Sequence, residues 1–256
     1  MKKAIVLDKS GTIVDPCRII YNLESHECLY HINTLKYVID RGEALVNLRG
    51  PLNSLFNGKI GKISLKASCA SFTPLPKIDP VLIEDARVVE GIKIVLNEAI
   101  NHCGSQMGAC AALIIDHKGR ITHTVGLGGR LYPEVKGSVQ NMKKIGIDIF
   151  LATGNCRKMS MDCSKLLNIP REYVLFDASP EDKRDLVKKL RGFYGSVIMV
   201  GNDLNDLIAM KEADVSIIIS RAGAKTHVKV TECMDVDYVV PSLIDVEAIV
   251  ENITHP

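Results

Sequence analysis

The apolar run Ala4–Leu7, followed at once by Asp8-Lys9-Ser10-Gly11-Thr12, constrains this chain more than any other stretch. Four consecutive apolar residues closed by a glycine turn read as a strand buried on both faces, of the kind found inside parallel sheets. Asp8 then stands at the C-terminal end of that strand, where open α/β sheets bind their ligands. Gly11 permits a sharp turn, and Lys9, Ser10 and Thr12 bring one charge and two hydroxyls to it. Alone, the pentapeptide equally describes an ordinary strand end before a turn, so its meaning depends on the remaining sequence.

That sequence repeats the pattern. Strand-like runs lie at Ile147–Ala152, Tyr173–Phe176, Ser196–Gly201 and Val215–Ile219, with a weaker one at Tyr238–Val240. Helix-like segments separate them: Pro133–Lys144, Arg157–Leu167, Pro180–Leu190, Leu204–Glu212 and roughly Lys225–Cys233. Regular β-α alternation predicts an α/β fold, a doubly wound parallel sheet of Rossmann-like type with the first strand at its centre. Pro133 and Pro180 stand where helices begin, with acidic residues in the following turn, as the helix dipole favours.

Residues 15–128 read differently. Breaks at Gly50-Pro51, Gly58, Gly61, Pro74, Pro76 and Pro80 interrupt them, one helix is expected near Ile83–Asn101, and a hairpin joins Ala111–Ile115 to Ile121–Val125 through Asp116-His117-Lys118-Gly119. This predicts an inserted α+β cap over 15–128 and a catalytic core made of 1–14 and 129–256.

Composition narrows the function. With 46% hydrophobic and 24% charged residues and a net charge of +2, nothing calls for nucleic acid or an anionic membrane as partner. No apolar run approaches the roughly 20 residues of a membrane span. The N-terminus is too short in apolar residues for a signal peptide, so a cytoplasmic location is expected. Eight cysteines without any C-x-x-C pair are then expected as free thiols. His102, Cys103 and Cys110 cluster in sequence, but scattered Cys and His more often pack than bind metal.

Three more strand ends or helix starts carry polar chemistry. Thr153-Gly154-Asn155 offers a hydroxyl and helix-start amides suited to a phosphate. Ser179-Pro180-Glu181-Asp182-Lys183 puts a lysine in a first helical turn, a position that is most often merely solvated. Gly201-Asn202-Asp203-Leu204-Asn205-Asp206 gathers acidic and amide oxygens suited to Mg²⁺. Helix capping explains one such residue but not four in five positions.

Together the four segments resemble the motifs of the haloacid dehalogenase superfamily of phosphohydrolases, and most closely the cytoplasmic catalytic core of P-type ATPases. Asp-Lys-Ser-Gly-Thr is similar to their Asp-Lys-Thr-Gly-Thr. The stretch from Arg130 through Glu134 and Lys143–Ile147 to Thr153-Gly154-Asn155 is similar to their run from Arg-Pro-Glu to Thr-Gly-Asp, and Pro180–Lys183 and Ala213–Val215 also fit. The resemblance covers 1–14 and about 128–256; within the cap only the hairpin 111–125 resembles the ATPases' nucleotide-binding domain. It implies an aspartyl-phosphate mechanism with Asp8 as nucleophile and Lys183 and Thr153 holding the phosphoryl group. Lys9, Gly11, Thr12, Gly154, Asn155 and Asn205 frame the phosphate. Mg²⁺ is implied as cofactor on Asp8, the Ser10 carbonyl, Asn202, Asp203 and Asp206, with a small phosphorylated substrate, nucleotides included.

Two departures qualify that implication. Phosphatases of the superfamily place a second Asp at the position of Ser10 as general acid and base, whereas Ser carries protons poorly at neutral pH. The first metal-binding Asp of the last motif aligns with Asn202, a neutral ligand. A catalytically weak regulatory or phosphate-binding scaffold of the same fold is therefore the alternative.

Overall fold

The structure, a computed structural model, describes residues 2–50, 52, 56, 63–74, 83–221 and 235–254. The helix expected over Lys225–Cys233 lies outside them. In chain order the strands are β1 (Lys3–Leu7), β2 (Val14–Asn22), β3 (Cys28–Tyr30), β4 (Ala44–Arg49), β5 (Ser64–Ala70), β6 (Cys110–Ile115), β7 (Ile121–Leu131), β8 (Ile147–Ala152), β9 (Val174–Leu175), β10 (Ser196–Gly201), β11 (Val215–Ile219) and β12 (Tyr238–Val240). The α-helices are α1 (Thr34–Asp40), α2 (Ala86–Asn101), α3 (Val135–Lys144), α4 (Arg157–Leu166), α5 (Pro180–Arg191), α6 (Leu207–Met210) and α7 (Leu243–Thr254). They form two compact units, Met1–Asp15 with Leu131–Pro256, and Pro16–Arg130.

The first unit holds a six-stranded sheet in the order β12-β11-β10-β1-β8-β9, with every neighbouring pair parallel. The expected parallel sheet with the first strand near its centre is borne out. Ala4, Ile5, Val6 and Leu7 are all solvent-free, so β1 is covered on both faces, which is why it reads as an unbroken apolar run rather than an alternating one. On one face Ala4 and Val6 join Phe150, Met199, Val187 and Leu190, packing α5 onto the sheet. α3 packs on β8 and on α7. With strands running in one direction, β10, β1 and β8 all end at the same edge, and their loops carry Asn202, Asp8 and Thr153.

α5 begins as its sequence dictates. Ser179 and Asp182 form a reciprocal capping box and Pro180 occupies the first turn. The segment expected as one helix over Leu204–Glu212 is instead a 3₁₀ turn, Leu204–Asp206, followed by the short α6. Asp203 and Asp206 cap this turn mutually, and the side-chain competition for backbone amides tightens it.

The second unit holds a sheet in the order β3-β2-β7-β6-β4-β5. α2 lays Val88, Ile92, Val95 and Ala99 against it. The β6–β7 hairpin matches its sequence signal, with Asp116 accepting from Lys118 N and Arg120 N at 2.9 and 3.0 Å. The sequence reading found only one helix and one hairpin here; α1 and strands β2 to β5 were not anticipated, because their apolar positions are short and broken by turn residues. The expectation of free thiols is corrected: Cys17 on β2 is bonded to Cys103 after α2. Their Cα atoms are 6.0 Å apart, within the span a disulfide bridges. Cys28 and Cys163 carry free thiols. No helix among the described residues is long and apolar enough to cross a membrane.

Candidate active site

Lys183 is the centre of the site. Its Nζ lies 2.6 Å from Asp8 Oδ1 and 2.7 Å from Asp206 Oδ1. The lysine is 1% exposed, Asp8 4% and Asp206 0%, so a first-turn lysine that sequence statistics would solvate is buried between two carboxylates. Burial alone would lower the lysine pKa, but the two anions together outweigh it and raise it. Asp206 is pushed up to about 6, chiefly by burial and then by the Asp8 charge, with Lys183 opposing.

Asp206 has no oxygen to spare. Oδ1 takes Lys183, and Oδ2 accepts the backbone amides of Asn202 at 3.1 Å and Asp203 at 3.3 Å. A side chain at Gly201 would collide with the Asp206 carboxylate, so the glycine that ends β10 is what lets Asp206 reach the lysine. Asp203 caps the turn, its Oδ1 2.7 Å from Leu204 N. Among the described residues no three His, Cys, Asp or Glu side chains converge on a metal position. The remaining oxygen donors are Asp8 Oδ2, which makes no hydrogen bond among the described residues, the Ser10 carbonyl, and Asn202 Oδ1, which receives only a long 3.3 Å bond from Thr12. All three are hard oxygens of the type Mg²⁺ prefers.

The loop after β1 is fixed from several sides. Gly11 has a φ of 85°, and a side chain there would strike Asn202, so this turn requires glycine twice over. Thr12 is solvent-free, and its carbonyl accepts Arg221 Nη2 at 2.8 Å. Arg221 in turn pairs with Glu134 at 2.8 Å and lies 3.5 Å from the centre of the Tyr132 ring. Sequence reading missed this clamp; its only signal was an arginine just past the end of β11. Lys9 is fully buried, and its charge acts on Cys163 of α4, whose thiol burial pushes up to about 11.

On the other side of Asp8, Asn155 ties two hydroxyls together. Its Oδ1 accepts from Ser10 Oγ at 2.9 Å and from Thr153 Oγ1 at 3.0 Å, while Thr153 Oγ1 accepts from Asn155 N at 3.2 Å. Thr153 is 1% exposed. Gly154 and Asn205 are exposed, Gly154 beside the Thr153 loop and Asn205 on the 3₁₀ turn. The structure thus brings Asp8, Ser10, Thr153, Asn155, Lys183, Asn202 and Asp206 to one sheet edge, and it leaves Lys9 directed elsewhere.

This chain belongs to the haloacid dehalogenase-like hydrolases, whose family model matches residues 2–214. It is a hydrolase related to the catalytic core of P-type ATPases. The soluble P-type ATPase-like phosphatase of Methanocaldococcus jannaschii is 27% identical over 234 residues, 87% of this chain and 85% of that protein. A probable copper-exporting P-type ATPase of Archaeoglobus fulgidus is 26% identical over 175 residues, 68% of this chain but 21% of the ATPase. Among solved structures, the catalytic CPx-ATPase domain CopB-B aligns over the whole chain and 90% of that domain, at 16% identity and a TM-score of 0.49.

Proposed function

We propose that this protein is a Mg²⁺-dependent phosphohydrolase in which Asp8 accepts a phosphoryl group from a small phosphorylated substrate. The observation that carries the reading is the Asp8–Lys183–Asp206 chain at the end of the central strand. It presents one carboxylate oxygen to a ligand while the other is held by a fixed cation. Asp8 Oδ2 attacks phosphorus, the bond to the leaving oxygen breaks, and that oxygen takes a proton from solvent. Water then cleaves the acyl phosphate, regenerating the carboxylate and releasing phosphate; splitting the hydrolysis this way replaces one hard step by two easier ones.

Lys183 screens the nucleophile from the incoming oxyanion, and its two anchors hold it there without further reorganisation. Thr153 donates to a phosphoryl oxygen once it turns from Asn155, whose own amide holds the loop. Gly154, Asn155, Gly11 and Thr12 frame the phosphate, with Asn205 at the mouth. Asp8, the Ser10 carbonyl and Asn202 would hold the metal, with Asp203 the adjoining carboxylate, while both oxygens of Asp206 serve Lys183 and backbone amides. Bound there, Mg²⁺ would neutralise charge between the Asp8 carboxylate and the phosphoryl oxygens.

Residues 16–130 act in this reading as the selectivity module, a reduced counterpart of a nucleotide-binding domain, and nucleotides are among the substrates to test. The compartment proposed is the cytoplasm. One observation favours a second reading, a catalytically weak phosphate-binding protein: Ser10 Oγ is bound to Asn155 and carries no carboxylate to move a proton to the second-step water. Release of the phenol from a generic aryl phosphate, with and without Mg²⁺, decides between them. Metal-dependent turnover supports the enzyme, and phosphate binding without turnover supports the second reading.

A further inference from the structure

Within the unit Pro16–Arg130, a cavity of about 720 Å³ opens beside the β6–β7 turn. Its lining has four basic side chains, Arg41, Arg87, Lys118 and Arg120, and two acidic ones, Glu24 and Asp85; Glu43 and Asp116, paired with Arg41 and Arg120, bring positive and negative charges into balance. The four come from three separate places in the fold: the end of α1, the first turn of α2 and the β6–β7 turn. What the cavity offers an anion is therefore a set of converging N–H donors rather than an excess of charge.

Three of these cations are aimed by carboxylates. Arg41 Nε lies 2.9 Å from Glu43 Oε2, and Glu43 is itself buried and held by Thr122 Oγ1 at 2.9 Å. Arg120 Nε lies 2.7 Å from Asp116 Oδ2, a buried carboxylate that also closes the hairpin turn. Arg87 is held by Asp85 through Nε and Nη2. Arg41 and Arg120 are thus gripped through Nε, and their terminal amino groups make no hydrogen bond among the described residues. The Lys118 ammonium likewise has no partner among them. A guanidinium fixed from behind loses less side-chain freedom on binding and presents a planar fork to an oxyanion.

We propose that this cavity is a binding site for a compact polyanion carrying two or more oxyanion groups. Its apolar lining is limited to Leu23, Val88 and Ile121, so charged and polar groups dominate it. The ligand is small and charged. The site is made wholly of residues 16–130 and shares no residue with the Asp8 centre, so it stands whether or not Asp8 is a phosphoryl acceptor.

Calorimetric titration of the full chain in metal-free buffer, with pyrophosphate in one arm and citrate in the other, tests it. Arg87 and Lys118 are exposed, so Arg87→Gln/Lys118→Gln should leave the melting temperature unchanged while removing two of the four positive charges. We expect wild type to bind pyrophosphate saturably, the double variant to bind at least about tenfold more weakly, and Glu24→Gln to bind a few-fold more tightly. Because all three proteins keep the Asp8 centre, their differences report the cavity alone. Citrate behaving like pyrophosphate identifies recognition by oxyanion charge, and pyrophosphate alone identifies phosphate recognition. Superimposable isotherms for wild type, Arg87→Gln/Lys118→Gln and Glu24→Gln, or no saturable heat from either anion, overturn the proposal.

Discussion

Lys183 Nζ and Asp206 Oδ1 lie 2.7 Å apart, and neither residue is more than 1% exposed. A buried ion pair of this kind contributes little net stability, because desolvation offsets its Coulomb energy, yet breaking it is costly. Lys183→Met should lower stability by about 3–5 kcal/mol, since Asp8 and Asp206 are left facing each other without a cation. Lys183→Met/Asp206→Asn should recover part of that loss and none of the activity. Urea unfolding of both variants beside a turnover assay checks the pair; equal stability of the single and double variants would remove the ion-pair explanation.

The same contact fixes an acid limb. As pH falls through about 6, Asp206 gains a proton and Lys183 loses one of its two anchors. kcat/KM should therefore fall on the acid side with an apparent pKa near 6. In Asp206→Asn that limb should move or vanish; an unchanged profile would assign it to another group.

In the proposed mechanism Ser10 sets the second step. Its hydroxyl is bound to Asn155 at 2.9 Å and is a poor proton carrier. The wild type should accumulate a hydroxylamine-sensitive phosphoenzyme, and Ser10→Asp should speed its breakdown by roughly 10²–10⁴-fold, the range of a positioned acid/base. Chase kinetics of the trapped intermediate give the rate directly, and no acceleration with Asp would place the slow step elsewhere.

Asn202 is a neutral donor where a carboxylate would bind a divalent ion more strongly. Asn202→Asp should lower the Mg²⁺ concentration for half-maximal activity by about tenfold, or about 1.4 kcal/mol. Overlapping Mg²⁺ titrations of the two proteins would reduce Asn202 to its packing role against Gly11.

His123 supplies a stability test in the other unit. It is 1% exposed, and burial first, then the nearby Arg41 charge, hold its pKa below 6.5, with Glu43 opposing. A depressed folded pKa contributes stability that is present above 6.5 and is lost as pH falls through the folded value. The melting temperature of wild type should thus fall faster than that of His123→Gln between about pH 6.5 and 5. Parallel slopes would show that His123 is not the group responsible.

Much of the core was legible because parallel strands buried on both faces leave unbroken apolar runs, and Ala4–Leu7, Ile147–Ala152 and Ser196–Gly201 each end at a polar residue of the site. Asp8 and Thr153 stand at those ends, whereas Lys183, in the first turn of α5, could be named only through the resemblance of the four segments taken together. The role of Asp206 could not be named: capping, metal binding and pairing with Lys183 all use the same side chain, and only its position above Gly201 separates them. Arg221 escaped because its partners, Thr12, Tyr132 and Glu134, are remote in sequence. The sheet of residues 16–130 escaped because strands such as β3 are three residues long, too short for any periodicity to register.

Incubation with a labelled acyl phosphate and Mg²⁺, followed by acid quench and peptide mapping, tests the central claim most directly. The account predicts label on the peptide containing Asp8, lost on hydroxylamine treatment and absent from Asp8→Asn, which should also lack turnover. Turnover that survives in Asp8→Asn, or label on another peptide, would contradict it.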